Sequence, residues 1–495
     1  MGNGAFLLIP IFFPVLAGLA VFACNCAAVR QIYVGSVLVL NAAAVFLLSF
    51  LTGTESFTLW QFTPDLAVSF RFDATGKLFA CLIAVVWTLA CIYAFLYMRH
   101  EGKEKRYFAF AVMAVGVLTG LCMAGNLMTL YMFYEFMTLV TVPLVIHSQG
   151  ADALRAGLKY LGYSVFGAGL ALIGFFFLQH YGTSTVFAEG GVLDMAKIAG
   201  NEQALLVIFL VMMVGFGCKA GLMPLQAWLP TAHPVAPAPA SAVLSGIITK
   251  MGILGMIRTV FYLFDPAFLQ GTWVQVTLVI LALATVFVGS MLAFKEQLLK
   301  KRLAYSTVSQ VSYVIFGIML LNPQGLSGAL LQVVFHALAK NALFLAAGAV
   351  IYKTGVIYVK DLTGMGKKMP VVMWCFTIAS LSLIGIPPTG GFVAKWDLAL
   401  GALAPEFGGI LGYVGPAVLL VSALLTAGYL MPIVREAFFP GKDFDYDRLE
   451  KSEPNAYMTV PLVLLCVAVV ALGMFPMGLE QIIDGISGAV LRLPG

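Results

Sequence analysis

Hydrophobic positions along the 495-residue chain fall into fourteen blocks, each long enough for a membrane-crossing helix, which needs about 20 mostly apolar residues. The blocks cover residues 5–24, 32–52, 74–98, 107–124, 126–146, 158–180, 204–226, 240–264, 272–294, 303–321, 327–352, 371–400, 412–434 and 458–478. The pattern predicts an all-α integral membrane protein of about fourteen transmembrane helices. The first block lacks a basic flank and a small-residue cleavage site, which predicts a retained helix.

Two blocks are interrupted in the same way. The seventh runs through Lys219 into Pro224 and Pro230, followed by Pro234, Pro237 and Pro239; the twelfth carries Gly385, Pro387, Pro388, Thr389, Gly390 and Gly391 in mid-block. Proline removes an amide donor and clashes with the preceding turn, so neither helix is expected to run unbroken. Breaks five blocks apart fit two inverted five-helix repeats, blocks four to eight and nine to thirteen. Irregular backbone at membrane depth is tolerated only when buried in protein or lining a polar cavity. The expected organisation is an N-terminal three-helix segment (1–106), a first repeat (107–264), a second repeat (272–434), and a last span with a short tail (458–495).

Between the blocks, residues 52–73 alternate like a small external hairpin. Lys442 to Glu453 forms a polar connection, and Met474 to Arg492 suits a short interfacial helix. The chain is 61 % hydrophobic and only 10 % charged, and its 28 basic residues are unevenly placed. Nineteen of them (Arg30; Arg99, Lys103, Lys105, Arg106; Arg155, Lys159; Lys295, Lys300, Lys301, Arg302; Lys353, Lys360, Lys367, Lys368; Arg435, Lys442, Arg448, Lys451) flank alternate connections on one side. Cytoplasmic loops hold such an excess, so both termini are expected on the extracytoplasmic side of a prokaryotic-type cell (inner) membrane. The same asymmetry accounts for the net charge of +5, and no basic patch with interleaved aromatics suggests nucleic acid. The eight cysteines form no C-x-x-C pair, and neither a dinucleotide motif nor a phosphate loop occurs. No cofactor, metal site, or redox or hydrolytic centre is therefore expected in this chain.

Candidate chemistry lies in charges placed inside the apolar blocks: Glu135, Lys219, Lys250, Lys340 and Lys395. A central charge in a lipid-facing helix costs about 2.5–3.5 kcal/mol or more, so such groups usually face a protein interior or a wet path. Hydrogen-bonded neutral acids and snorkelling lysines are the bland alternatives. Lys219 precedes the first break, where freed carbonyls are expected to solvate its ammonium. Glu135 and Lys219 would form a switch, because two opposite charges stabilise each other when close and favour neutral forms when buried apart. His336 and Lys340 stand at i and i+4 on one helix face. Alone, His336 would read as structural; beside Lys340 it becomes a proton carrier suited to neutrality. Asp397 is expected at the aqueous end beyond Lys395, while Thr249, Tyr305, Ser306, Thr307, Ser309 and Gln310 offer places for water.

Taken together and in order, these motifs resemble the antiporter-like subunits shared by respiratory complex I, Mrp-type cation/proton antiporters and membrane-bound energy-converting hydrogenases. The motifs are Glu135 with Pro143 and Leu144; Lys219 to Pro230, then Ala236 to Ala242 and Lys250; Leu303 to Gln310; His336 with Lys340; and Gly385 to Lys395. The resemblance covers residues 74–434. It implies fourteen helices, face-to-face inverted repeats, and a charged chain halfway across the membrane. On that likeness Glu135 and Lys219 are the coupling pair, Lys250 the central relay, Lys340 with His336 the link to the second half-channel, and Lys395 the terminal site. Lysine at 395 is more similar to the D-type members of Mrp antiporters and some complex I members, and the segment around His233 to the hydrogenase-linked and D-type Mrp members. The resemblance also implies a member without the lateral helix of the largest relatives.

The expected function is proton translocation, with Na+/H+ exchange in the antiporter branch, by a subunit working with other membrane subunits in the lipid bilayer. An autonomous solute carrier would need a substrate-shaped site, whereas these groups are strung over at least five helices. A non-conducting scaffold would have no use for five buried charges.

Overall fold

The computed structural model describes residues 4–53, 55–63, 66–441 and 451–492. Helices dominate it: α1 (Ala5–Ala23), α2 (Ala27–Leu51), α3 (Ala74–Glu101), α4 (Glu104–Cys122), α5 (Leu127–Val145), α6 (Ala151–Tyr181), α7 (Glu202–Ala220), α8 (Leu229–Val235), α9 (Ala238–Leu263), α10 (Trp273–Lys295), α11 (Leu299–Met319), α12 (Pro323–Thr354), α13 (Pro370–Ile384), α14 (Gly390–Leu403), α15 (Gly409–Phe438), α16 (Ala456–Met474) and α17 (Met477–Val490). Between α2 and α3, β1 (Ser56–Thr63) pairs antiparallel with β2 (Leu66–Arg71), forming the expected hairpin.

Among the described residues, twelve helices are long and apolar enough to cross a membrane. The tenth and twelfth apolar blocks account for the difference from fourteen. α11 is long enough, but Lys300, Lys301, Arg302 and its hydroxyl and amide side chains lower its hydropathy. The twelfth block is divided into α13 and α14, each too short alone. Several helices also extend beyond their apolar blocks. Arg155 and Lys159 lie in the first turns of α6, not in a loop, because backbone hydrogen bonding continues after the apolar run stops. Lys442, Arg448 and most of the polar connection from Lys442 lie outside the described residues.

Both predicted breaks are present. α7 ends at Gly221 (φ 91°), whose N–H donates to the Gly217 carbonyl at 2.8 Å, while the Leu222 N–H donates to the same oxygen at 2.9 Å. α13 ends on Gly385 (φ 92°), with N–H donation from Gly385 and Ile386 to Leu381 at 2.9 and 3.0 Å. Glycine fits this left-handed position without a Cβ clash, and the paired bonds satisfy carbonyls that a helix end leaves free.

The core is organised around α12. It is 32 residues long and packs against α3, α9, α11, α13, α14 and α16, so it is buried along nearly its whole length. Its abundant Ala and Gly allow close approach, which substitutes for a hydrophobic driving force between helices in lipid. From α3, the Tyr93 hydroxyl donates to the Leu345 carbonyl at 2.8 Å. Where α3 begins and α9 ends, Asp73 accepts from both guanidinium nitrogens of buried Arg258, whose guanidinium carbon lies 4.4 Å from the Tyr262 ring centroid. Asp73 also caps α3 by accepting from the Gly76 N–H at 2.8 Å. After α16, α17 turns Ile483, Ile486 and Val490 inward and leaves Ile482 exposed.

Candidate functional site

The first buried lysine is held by hydroxyls. Lys219 stands in the last turn of α7, and its Nζ donates to Thr138 Oγ1 (2.9 Å) from α5 and to Tyr160 OH (3.1 Å) and Ser164 Oγ (2.7 Å) from α6. The Tyr160 ring lies 4.4 Å from the ammonium. Its hydroxyl meets Thr141 Oγ1 at 2.7 Å, and Trp228 packs on its ring. The expectation that carbonyls freed by the break would solvate Lys219 is therefore corrected. Trp228 Nε1 takes the Cys218 carbonyl at 2.8 Å, leaving hydroxyls to face the ammonium. Charge-assisted bonds of this kind contribute about 1.5–3 kcal/mol each, enough together to offset burial of one cation.

Glu135 does not join this cage. It is half-buried on α5, on the flank where Phe136 and Leu139 are exposed, and no ion pair joins it to Lys219 among the described residues. The two are separated, Lys219 in the interior and Glu135 at the rim.

The centre brings two lysines and a histidine close together. Lys250, fully buried on α9, donates to the Ser245 carbonyl at 2.8 Å and meets His336 Nδ1 of α12 at 2.5 Å. A π-helical turn, Leu244–Ile248, precedes Lys250 and contains that carbonyl. One turn beyond His336, Lys340 donates to the Leu303 carbonyl of α11 at 2.9 Å and to Ser306 Oγ. Ser245 and Thr307 hydroxyls meet at 2.6 Å across α9 and α11. His336 thus touches Lys250 directly and shares a helix face with Lys340, placing three ionisable groups in one buried string. Its Nε2 and the Gln310 amide nitrogen have no partner among the described residues, while Gln310 Oε1 accepts from Gln332 at 2.9 Å.

Beyond Lys340 the lining is hydroxylic. Ser306 faces Tyr429 of α15, whose hydroxyl donates to Thr426 Oγ1 at 3.3 Å. Ser422, one turn earlier, meets Ser290 Oγ at 2.7 Å and Ser309 Oγ at 3.3 Å, and also faces Tyr313. Lys395 lies 5.2 Å from the Tyr313 ring and donates to the Leu383 and Ile384 carbonyls, the latter at 2.8 Å. Carbonyl solvation, expected at the first break, thus occurs at the second. Asp397 lines a cavity of about 500 Å³ shared with Glu480 and Asp484.

Sequence reasoning missed Thr138, Tyr160 and Ser164 around Lys219, and Ser422, Thr426, Tyr429 and Tyr313 around the second half. The signal was available: Tyr160/Ser164 and Ser422/Thr426 are polar pairs at i and i+4 inside otherwise apolar blocks.

The fold and these buried groups define a class: a polytopic helical membrane protein with interrupted helices and a string of ionisable residues in its interior. Residues 124–414 match the family model described as NADH:quinone oxidoreductase/Mrp antiporter, TM, and residues 61–108 match the complex I chain 5 N-terminus model. The chain is 35 % identical over 451 residues to the N subunit of NADH-quinone oxidoreductase from Desulforudis audaxviator, covering 87 % of this chain and 86 % of the relative. It is 31 % identical over 375 residues to the D subunit of the Na(+)/H(+) antiporter from Alkalihalophilus pseudofirmus, covering 74 % and 72 %. Its fold is similar to a chain in the Mrp complex of Dietzia sp., with a TM-score of 0.86 and 22 % identity, covering 99 % of this chain and 98 % of that one. The chain belongs to the NADH:quinone oxidoreductase/Mrp antiporter membrane-subunit family.

Proposed function

We propose that this chain translocates protons along a path in the membrane plane, as one membrane subunit of a larger assembly. The observation that carries this reading is the buried Lys250–His336 contact together with the Lys340–Ser306 contact one turn along the same helix. Two lysines without carboxylate partners in a protein core have no structural economy, whereas an imidazole between them can pass a proton either way. Lys219, held by hydroxyls, supplies the first inner station. Glu135 at the rim is placed to exchange charge with Lys219 on one side and with a neighbouring subunit on the other. Lys395, behind the Tyr429–Ser422–Tyr313 lining, is the terminal station.

The matching Gly221 and Gly385 helix ends support two inverted repeats, 107–264 and 272–434. The loop charges support placing both termini on the extracytoplasmic side. Likeness to a Na(+)/H(+) antiporter component supports protons as the ion moved, with Na+ as the exchange partner if the assembly is an antiporter.

The test uses vesicles carrying the complete assembly, energised by whichever driving force, Na+ gradient or redox substrate, moves protons in the wild type. Lys219→Ala and Glu135→Ala are each expected to abolish or strongly impair proton movement, with the chain still inserted and assembled. Wild-type movement in both variants would refute the reading. Metal and flavin analysis of the same assembly separates a redox-driven pump from an antiporter.

A further inference from the structure

The central string begins and ends in the membrane interior, so protons must reach it from water. His233, in α8 at the first break, is fully buried, and neither of its ring nitrogens has a hydrogen-bond partner among the described residues. Buried histidines that serve only packing normally bond at least one nitrogen. Its ring stacks on Phe344 of α12, with centroids 4.8 Å apart and an interplanar angle of 25°. Lys340, one turn before Phe344, holds its Nζ 5.9 Å from the centroid of that same ring. Imidazole and ammonium therefore share one aromatic neighbour.

On its other side, His233 adjoins a way out. The next residues, Pro234 to Pro237, line a cavity of about 450 Å³ together with Glu101, Lys300 and Tyr358. Lys300 Nζ donates to the carbonyls of Pro234 (3.2 Å) and Ala236 (2.6 Å), fixing the wall beside the histidine. Glu101 and the basic end of α3 put this cavity at the face that carries the basic connections. The cations that bear on the imidazole are Lys300 and Lys340, and Glu101 acts on Lys300.

We propose that His233 is the proton-access station between the basic face and Lys340, with the Phe344 side chain as the shutter between them. The proposal deepens the translocation reading and rests on it. When Phe344 swings aside, the imidazolium N–H bond breaks, a new N–H bond forms on the neutral Lys340 amine, and the neutral imidazole takes a fresh proton from cavity water. Two free ring nitrogens suit this work, since one can accept while the other donates.

The experiment compares His233→Ala, His233→Gln and Phe344→Ala with wild type and Lys219→Ala, in everted vesicles carrying the complete assembly and a pH-sensitive dye. His233→Ala is expected to slow proton movement at least tenfold, with recovery on adding imidazole to the basic face but not pyrazole, a ring of similar size and little basicity. Wild-type vesicles receive the same additions to correct for imidazole crossing the bilayer. His233→Gln, which fills the space without shuttling, should show the same loss, and Phe344→Ala should leak protons when the driving force is off. Normal movement in His233→Gln beside a dead Lys219→Ala would overturn the access route while leaving the relay standing. A loss in His233→Ala that imidazole does not repair in an intact assembly would make the histidine structural. If His233→Ala fails to assemble, the Gln and Phe344 variants decide: normal rates and no leak refute the route. Normal movement in Lys219→Ala would defeat the broader reading instead.

Discussion

Replacing His336 tests the centre of the path, because this imidazole meets Lys250 and stands on the helix face that carries Lys340. Its Nδ1 meets Lys250 Nζ at 2.5 Å, just below the lower limit of about 2.6 Å and so within the reach of about 3.2 Å that direct proton transfer requires. Leucine would fill most of the site with methyl groups and leave no donor or acceptor. Loss of a positioned proton carrier costs roughly 10²–10⁴ in rate, so His336→Leu is expected to reduce proton movement at least ~100-fold. His336→Ala should do less harm. It opens a space of roughly two waters at ~30 Å³ each, and the Lys250 ammonium and the Ser245 carbonyl beside it provide the polar partners that buried water requires. The predicted order is wild type, then Ala, then Leu. The assay is dye-monitored proton movement in vesicles, with assembly checked by co-purification and thermal unfolding. An assembled His336→Leu complex working at the wild-type rate would refute the reasoning, as would an Ala variant slower than Leu.

Other sites make separate predictions. Arg258→Leu leaves Asp73 with only the longer Arg71 contact of 3.5 Å and should destabilise the fold by about 1–3 kcal/mol, whereas the Asp73→Leu/Arg258→Leu double variant should be less destabilised than the sum of the single ones; thermal unfolding in detergent measures both. Gly391→Ala would put a Cβ 1.9 Å from the Ser382 carbonyl across the second break, so a loss of about 1–3 kcal/mol or more is expected by the same method. Ser422→Val removes the hydroxyl that meets the Ser290–Ser309 pair near Tyr313; it should slow proton movement with little change in melting temperature.

Much of the fold was legible because lipid imposes simple rules. Apolar blocks marked nearly every long helix, and prolines marked both breaks, joined at the second by paired glycines. Less legible was how far helices run past the apolar block: α6 carries Arg155 and Lys159 in its first turns, where backbone bonding continues beyond the oily segment. The site followed a similar division. Charges such as Lys250 and Lys340 stand out in an apolar block, but Tyr160, Ser164, Ser422 and Tyr429 look ordinary until packing turns them toward a cation. Which group solvates each lysine was misplaced for a specific reason: Trp228 lies nine residues after Lys219 and returns to occupy the carbonyl that a local reading leaves free.

Continuity in the membrane plane is the central claim, and the spaces on either side of the central string expose it most. Lys219 and Lys250 share no hydrogen-bond partner among the described residues, and Lys340 reaches Lys395 only through the hydroxyls of α11 and α15. An experimental map of the assembly in lipid, at a resolution that shows ordered water, measures both spaces directly. The account predicts waters bridging Lys219 to Lys250, and waters or reoriented hydroxyls joining Ser306, Tyr429, Ser422 and Lys395, in at least one functional state. Dry apolar packing in either space in every state would contradict it.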